Sequence, residues 1–162
     1  MKRRAFCSAF LGVAAPSGEL TVIFFLSTVC PISNAYTDRI QGLFARYAGK
    51  PVQFVLLNPN ANETEEETRA YSRDVEFPVP LRKDVGNAVA DRYNARLTPE
   101  AVLLDQAGKI RYQGAIDDAR NPARVKVEAL REAIDGVLAN QPVPNEGLRA
   151  FGCSIKRVRT KS

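Results

Sequence analysis

The stretch Cys30-Pro31-Ile32-Ser33 holds the residue types in this sequence best suited to covalent chemistry. A thiol attacks as its thiolate, so its surroundings decide how much nucleophile exists at neutral pH. Upstream, Thr21 to Ser27 reads TVIFFLS, nearly all β-branched, aromatic or apolar, as in a strand buried on both faces. Downstream, Ile40, Leu43, Phe44 and Tyr47 recur at steps of three and four, the apolar stripe of an amphipathic helix. Proline is favoured in the first turn of a helix, where its missing N–H is not needed. Cys30 is therefore expected at the seam between a central strand and a helix N-terminus. There the free N–H groups and the helix dipole favour a negative sulfur. The chemistry this predicts is thiol redox chemistry; the plainer alternative is a buried cysteine acting as a small apolar residue.

The other thiols and the missing residue types narrow the field. The chain of 162 residues has three cysteines and no histidine. Imidazole-based triads, histidine metal sites and C-x-x-C-H haem attachment are thereby excluded. No cofactor or metal is expected, although a thiolate pair would suit Cu(I), which takes soft ligands. Met1-Lys2-Arg3-Arg4 followed by the apolar run Ala5 to Ala15, ending Val13-Ala14-Ala15, has the pattern of a cleavable signal peptide. The run is too short to span a membrane. Residues 1–15 are read as that leader and the mature protein as exported, periplasmic or extracellular; a mis-assigned start would leave it cytoplasmic. Cleavage would remove Cys7 and leave Cys30 and Cys153, an even pair suited to an oxidising compartment. Whether they meet is open at this stage. A bond between them would close most of the chain into one loop, stabilising the oxidised form by roughly 5 kcal/mol on the loop-entropy argument.

Length and composition fit one soluble domain, with 45% apolar and 25% charged residues. The net charge of +5 sits at the ends, in Lys2, Arg3 and Arg4 and in Lys156, Arg157, Arg159 and Lys161. The body between them is close to neutral, so no nucleic-acid footprint is expected. The basic tail reads as a solvated, frayed end, with contact to an anionic membrane as the alternative.

The elements that must position Cys30 alternate along the chain. Val52 to Leu57 reads as a second buried strand, reached by a parallel crossover. Thr64 with Glu67 forms a capping box opening a helix to about Asp74, and Asn62-Glu63-Thr64 is read as its lead-in rather than a glycosylation site. Phe77 to Leu81 is an extended connector, and Asp84 opens another helix. Ala101 to Asp105 and Lys109 to Gln113 form a hairpin around Gly108. Val127 to Leu138 is the last helix. Residues 16–140 are taken as the domain and 141–162 as a C-terminal arm carrying Cys153.

This order, with two motifs, resembles the thioredoxin-like superfamily in its redoxin branch, over about Leu20 to Leu138. Cys30-Pro31-Ile32-Ser33 falls where that family carries C-x-x-C, and Leu97-Thr98-Pro99 falls at its cis-proline loop. The resemblance implies an α/β fold, a three-layer α/β/α sandwich around a mixed sheet of about four strands. It implies Cys30 as nucleophile on protein thiols or disulfides, with Pro99 facing the sulfur and Thr98, Pro31, Ser27 and Thr28 lining the substrate. Departures accompany it. Ser33 replaces the second motif cysteine, and Phe24 stands where thioredoxins bury an acidic residue, so Glu100 beside Pro99 is the candidate for proton transfer. Cys153, behind Gly152, is the candidate resolving thiol. Val29-Cys30-Pro31 is also similar to peroxiredoxins, implying a peroxidase alternative in which Ser27 donates a hydrogen bond to a small peroxide and Cys30 becomes a sulfenic acid. A module binding Cu(I) or a partner without turnover is the third reading.

Overall fold

The computed structural model describes residues 18–144 and 147–159, so the expected leader, with Cys7, lies outside the described residues. The expected buried strand is β1 (Leu20–Phe25), every residue of which is buried. It lies at the centre of a five-stranded sheet with β2 (Val52–Asn58), β3 (Leu81–Lys83), β5 (Glu100–Leu104) and β6 (Ile110–Gly114), in the order β3-β2-β1-β5-β6. β2 runs parallel to β1 in the register Leu20 to Val52, and β5 runs antiparallel on its other side. The sheet is mixed, as expected, but has five strands rather than four. The additional one, β3, begins at Leu81, the last residue of the expected connector, and its three residues are too few to show a period-two pattern. A second, two-stranded sheet joins β4 (Leu97–Thr98) to β7 (Cys153–Ser154).

Two apolar clusters lie on opposite faces of the large sheet. On one, Val22, Phe24 and Leu56 meet Ile40 and Leu43 of α2 (Thr37–Arg46) and Leu130, Ala133 and Ile134 of α5 (Ala129–Leu138). α3 (Glu65–Val75) lies beside α2, where Gln41 donates to the Val75 carbonyl at 2.8 Å. On the other face, Ile23, Phe25, Val102 and Leu104 meet Ala90 of α4 (Ala88–Arg92) and Ile155 of the C-terminal arm. These are the three layers the resemblance implies. The Thr64–Glu67 capping box is present with both reciprocal bonds.

The helix behind Pro31 is not continuous. α1 (Pro31–Asn34) stops where the Tyr36 N–H bonds the Ser33 carbonyl, and α2 begins at Thr37. The break sends Tyr36 into the core, 1% exposed, where its hydroxyl donates to Asp117 at 2.7 Å. Arg39 binds the same carboxylate at 2.6 Å, its guanidinium 3.6 Å from the Tyr36 ring centroid. Breaking one side of a buried, hydrogen-bonded pair strands the other charge. Asp117→Ala is therefore expected to lose roughly 3–5 kcal/mol in urea unfolding of the reduced protein. A loss below about 1 kcal/mol would mean that the pair behaves as an exposed one.

Candidate active site

Cys30 occupies the N-cap of α1 with Pro31 in the first turn, and it is 3% exposed. The Ser33 N–H points at its sulfur from 3.4 Å, and the Thr98 carbonyl oxygen lies 3.5 Å away. Thr98–Pro99 is a cis peptide, and the Thr98 carbonyl sets this loop against the sulfur. Cys153 is disulfide-bonded to Cys30 across a separation of 123 residues, with Cα atoms 6.2 Å apart. The pairing left open by the sequence is thus made, and β7 makes it possible. Cys153 stands in antiparallel register with Thr98, and the Thr98 hydroxyl donates to the Cys153 carbonyl at 3.5 Å.

The described part of the arm that carries Cys153 is docked, not frayed, and the end of the basic tail, with Lys161, lies outside the described residues. Ala115 N–H bonds the Leu148 carbonyl, Ile155 N–H bonds the Arg96 carbonyl, and Ala61 N–H bonds the Lys156 carbonyl. Arg157 pairs with Asp91 at 2.8 Å, so a basic residue assigned to a frayed tail is tied to the domain surface by an exposed ion pair. Gly152 permits the close approach: at its φ of +156° an added Cβ would collide with the Thr98 carbonyl. Gly152→Ala is accordingly expected to lift β7 from β4. Closure of the disulfide in a glutathione redox buffer should shift at least tenfold toward the dithiol, on the order of 1.4 kcal/mol. An unchanged buffer ratio at half-oxidation would show that the strand pairing does not set the bond.

The loop before Cys30 is organised by a residue the sequence reading passed over. Glu63 is 3% exposed and its carboxylate accepts five hydrogen bonds. They come from the Ser27 hydroxyl at 2.6 Å, the Thr28 N–H and hydroxyl, and the side-chain amides of Asn58 and Asn60. Burial works against charge there, but the bonds from Ser27, Thr28 and Asn58 outweigh it and hold the pKa below the ordinary carboxylate value. Ser27 Oγ in turn accepts the N–H groups of Val29 and Cys30, at 3.2 and 3.0 Å. A chain of bonds therefore runs from Glu63 through Ser27 to the Cys30 backbone. The sequence marks the tripeptide around Glu63 only as a helix lead-in or a glycosylation pattern; its polar neighbours Asn58 and Asn60, five and three residues before it, are the available signal.

The geometry revises several expected roles. The one hydroxyl hydrogen of Ser27 is committed to Glu63, and so is that of Thr28, so neither has a donor left for a peroxide. Ser33 does not replace a cysteine chemically: its Oγ accepts the Ser27 N–H at 3.0 Å while its own N–H serves the sulfur. Glu100 accepts from the N–H groups of Arg96 and Leu97 and from Gln113. These bonds brace the loop bearing the cis bond, and none involves the sulfur. Thr98 is fully buried and offers its carbonyl, whereas Pro31 and the neighbouring Val29, 68% exposed, form an apolar rim beside Cys30. Among the described residues no cluster of three or more ionisable or thiol ligands could hold a metal ion.

The AhpC/TSA family matches residues 12–113, more than half of the chain. The chain belongs to the AhpC/TSA family. The match spans Cys30 and the cis-proline loop and ends before the arm with Cys153. A solved structure of an uncharacterized conserved protein from Geobacillus kaustophilus is 30% identical, with a TM-score of 0.81 over 90% of this chain and 80% of that one. A hypothetical protein from Sinorhizobium meliloti 1021 is 28% identical, with a TM-score of 0.79 over 89% and 82%. A secreted Mycobacterium tuberculosis disulfide oxidoreductase, homologous to E. coli DsbE, shares the fold at 18% identity, with a TM-score of 0.53 over 76% and 83%. No curated protein matches the sequence. The fold of this AhpC/TSA chain is thioredoxin-like, as in the solved structure of a thioredoxin-like protein in its oxidized form, 16% identical with a TM-score of 0.62 over 76% and 80%. None of its described helices is long and apolar enough to cross a membrane.

Proposed function

We propose that this protein is a thiol–disulfide oxidoreductase acting on protein thiols and disulfides, with Cys30 as nucleophile and Cys153 as resolving thiol. The observation that carries the reading is the Cys30–Cys153 bond formed at a helix N-cap against a cis-proline loop. In the reducing direction, the Cys30 thiolate attacks one sulfur of a substrate disulfide and expels the other as a thiolate. The Cys153 thiolate then attacks Cys30 Sγ, releasing the second substrate thiol and leaving the protein disulfide. Two electrons pass to the substrate, and two thiols of a reductant restore the protein. Burial of Cys30 at 3% fits a thiol that is uncovered when a partner docks, with Val29 and Pro31 as the apolar rim for it.

A peroxidase role is the weaker alternative, because the hydroxyls of Ser27 and Thr28 both point to Glu63. Cu(I) handling would require the dithiol form, since a disulfide presents no thiolate. Export is part of the same reading: a disulfide closing most of the chain persists in oxidising compartments, and one structural neighbour is secreted. The test is a set of assays on one preparation. Insulin reduction with a dithiol donor should be catalysed, whereas peroxide consumption with that donor should stay at the buffer rate. Catalysis of peroxide loss alone would replace this reading with the peroxidase, and Cu(I) binding without either activity would replace it with the binding module.

A further inference from the structure

The chain behind Cys153 is held by its backbone and shows its charges to solvent. The Lys156 N–H donates to the Asn60 side-chain oxygen at 2.8 Å, and the Val158 N–H donates to that of Asn87 at 2.8 Å. Asn60 and Asn87 are both buried. None of these bonds involves a sulfur. Lys156, Arg157 and Arg159 are exposed. The Ile155 N–H bonds the Arg96 carbonyl at 2.9 Å, which brings the exposed Arg96 beside the arm. Arg157 reaches Asp91 and the Ala95 carbonyl, so the end of α4, with the exposed Arg92, lies alongside as well. Residues 88–97 and 153–159 together carry five exposed cations against one exposed acid, Asp91. Among the described residues, the Asp91 pair is the one ion pair that a cation of the arm makes. Two exposed aliphatic residues accompany these charges: Val158, 53% exposed, and Val85, 74% exposed and two positions before the Asn87 that holds Val158.

We propose that the docked arm and α4 form a basic docking surface for acidic protein partners. This inference rests on the thiol–disulfide reading above and names the class of protein that it serves. Lys156 follows Cys153 by three residues and Arg96 precedes Thr98 by two. An extended chain advances at most about 3.6 Å per residue, so both cations start within roughly 11 Å of the site. That is close to the screening length of about 8 Å at physiological salt, so a partner reaching the sulfurs feels them. Cations so placed steer an acidic surface into contact and fix its orientation. Val85 and Val158 add apolar contact within a charged rim, the arrangement of a protein interface. A lipid surface fits less well, because a bilayer resting on residues this near the disulfide would cover it.

The test uses the reduced full-length protein and three synthetic peptides of equal length, each closed by one disulfide. Their flanking residues are all glutamate, all serine or all lysine. One round moves two electrons from the protein dithiol to the peptide, leaving a protein disulfide and a peptide dithiol. Second-order rates are read by chromatography after an acid quench. At about 0.01 M salt the glutamate peptide should react at least about tenfold faster than the lysine peptide, with serine between them. At about 1 M salt, where screening acts beyond about 3 Å, the three rates should converge. Lys156→Glu combined with Arg159→Glu should reverse the low-salt order. Equal rates at low salt, or a lysine peptide that leads, would overturn the proposal and leave the thiol–disulfide reading standing. If that same protein sediments with phosphatidylglycerol vesicles, the face belongs to a lipid surface instead. An order that survives the double reversal would put the steering charges elsewhere and overturn it too. Failure to reduce any of the peptides would sink the thiol–disulfide reading itself, and this proposal with it.

Discussion

Cys30→Ser is expected to bring disulfide reduction down to the rate of the dithiol alone. Serine is a good N-cap, so its oxygen can accept the Ser33 N–H and the fold around α1 should persist. What is lost is the ionisable sulfur, since a serine hydroxyl supplies no nucleophile at neutral pH without a base. The oxidised form should also lose the cross-link. With the cysteines 123 positions apart, the loop-entropy argument gives roughly 3–5 kcal/mol, after allowance for reference-state structure. For a domain of this length that is a fall of roughly 10 °C or more in the melting temperature. Cys153→Ser separates the two effects. It should melt at the lowered temperature too, yet retain a reactive Cys30 and accumulate a mixed disulfide with substrate. Turnover by Cys30→Ser, or failure of Cys153→Ser to trap substrate, would contradict the division of labour between the sulfurs.

The second large effect is expected at Glu63. Glu63→Ala removes the acceptor for the hydroxyl hydrogens of Ser27 and Thr28, the Thr28 N–H, and the amides of Asn58 and Asn60. A buried donor left without a partner costs about 1–3 kcal/mol, so even with water entering the space the loss should reach roughly 4 kcal/mol. Glu63→Gln keeps the shape but turns donors toward donors, with an expected loss of roughly 2–3 kcal/mol. Protonation gives a gentler version of the same change. The folded-state pKa of Glu63 lies below its ordinary value, so its contribution is complete above the ordinary carboxylate range and is lost as pH falls through the folded value. Urea midpoints across acid pH should therefore fall more steeply for the wild type than for Glu63→Gln. Parallel curves would show that the carboxylate contributes nothing as an anion. Both variants should also alter alkylation of reduced Cys30, because Ser27 links the carboxylate to the Cys30 N–H at 3.0 Å.

Much of this protein was legible from local patterning. The run from Thr21 to Ser27 is apolar on both sides, and only the middle of a covered sheet suits such a strand; β1 is there. Pro31 and the helical stripe behind it fixed Cys30 at a helix start, because proline's missing N–H is harmless in the first turn. Thr64 and Glu67 announced α3 by a contact only three residues long. These features depend on neighbours in the chain, which is what a sequence displays.

The rest depends on residues brought together from afar. β3 and the β4–β7 pair contain two or three residues each and carry no periodicity of their own; a partner strand makes them strands. The helix break at Tyr36 needs Asp117, 81 positions on, to receive the hydroxyl. Glu63 reads as one acid among several at the start of an acidic helix until the fold surrounds it with donors from Ser27, Thr28, Asn58 and Asn60. Cys153 reads as a candidate resolving thiol whose pairing is open, and only the docking of its arm on Thr98 sets it against Cys30. The sequence determined that one sulfur would sit at the mouth of a helix. The tertiary structure decided which sulfur it meets and which of the two stays within reach of solvent, because strand pairing and burial are properties of the packed chain.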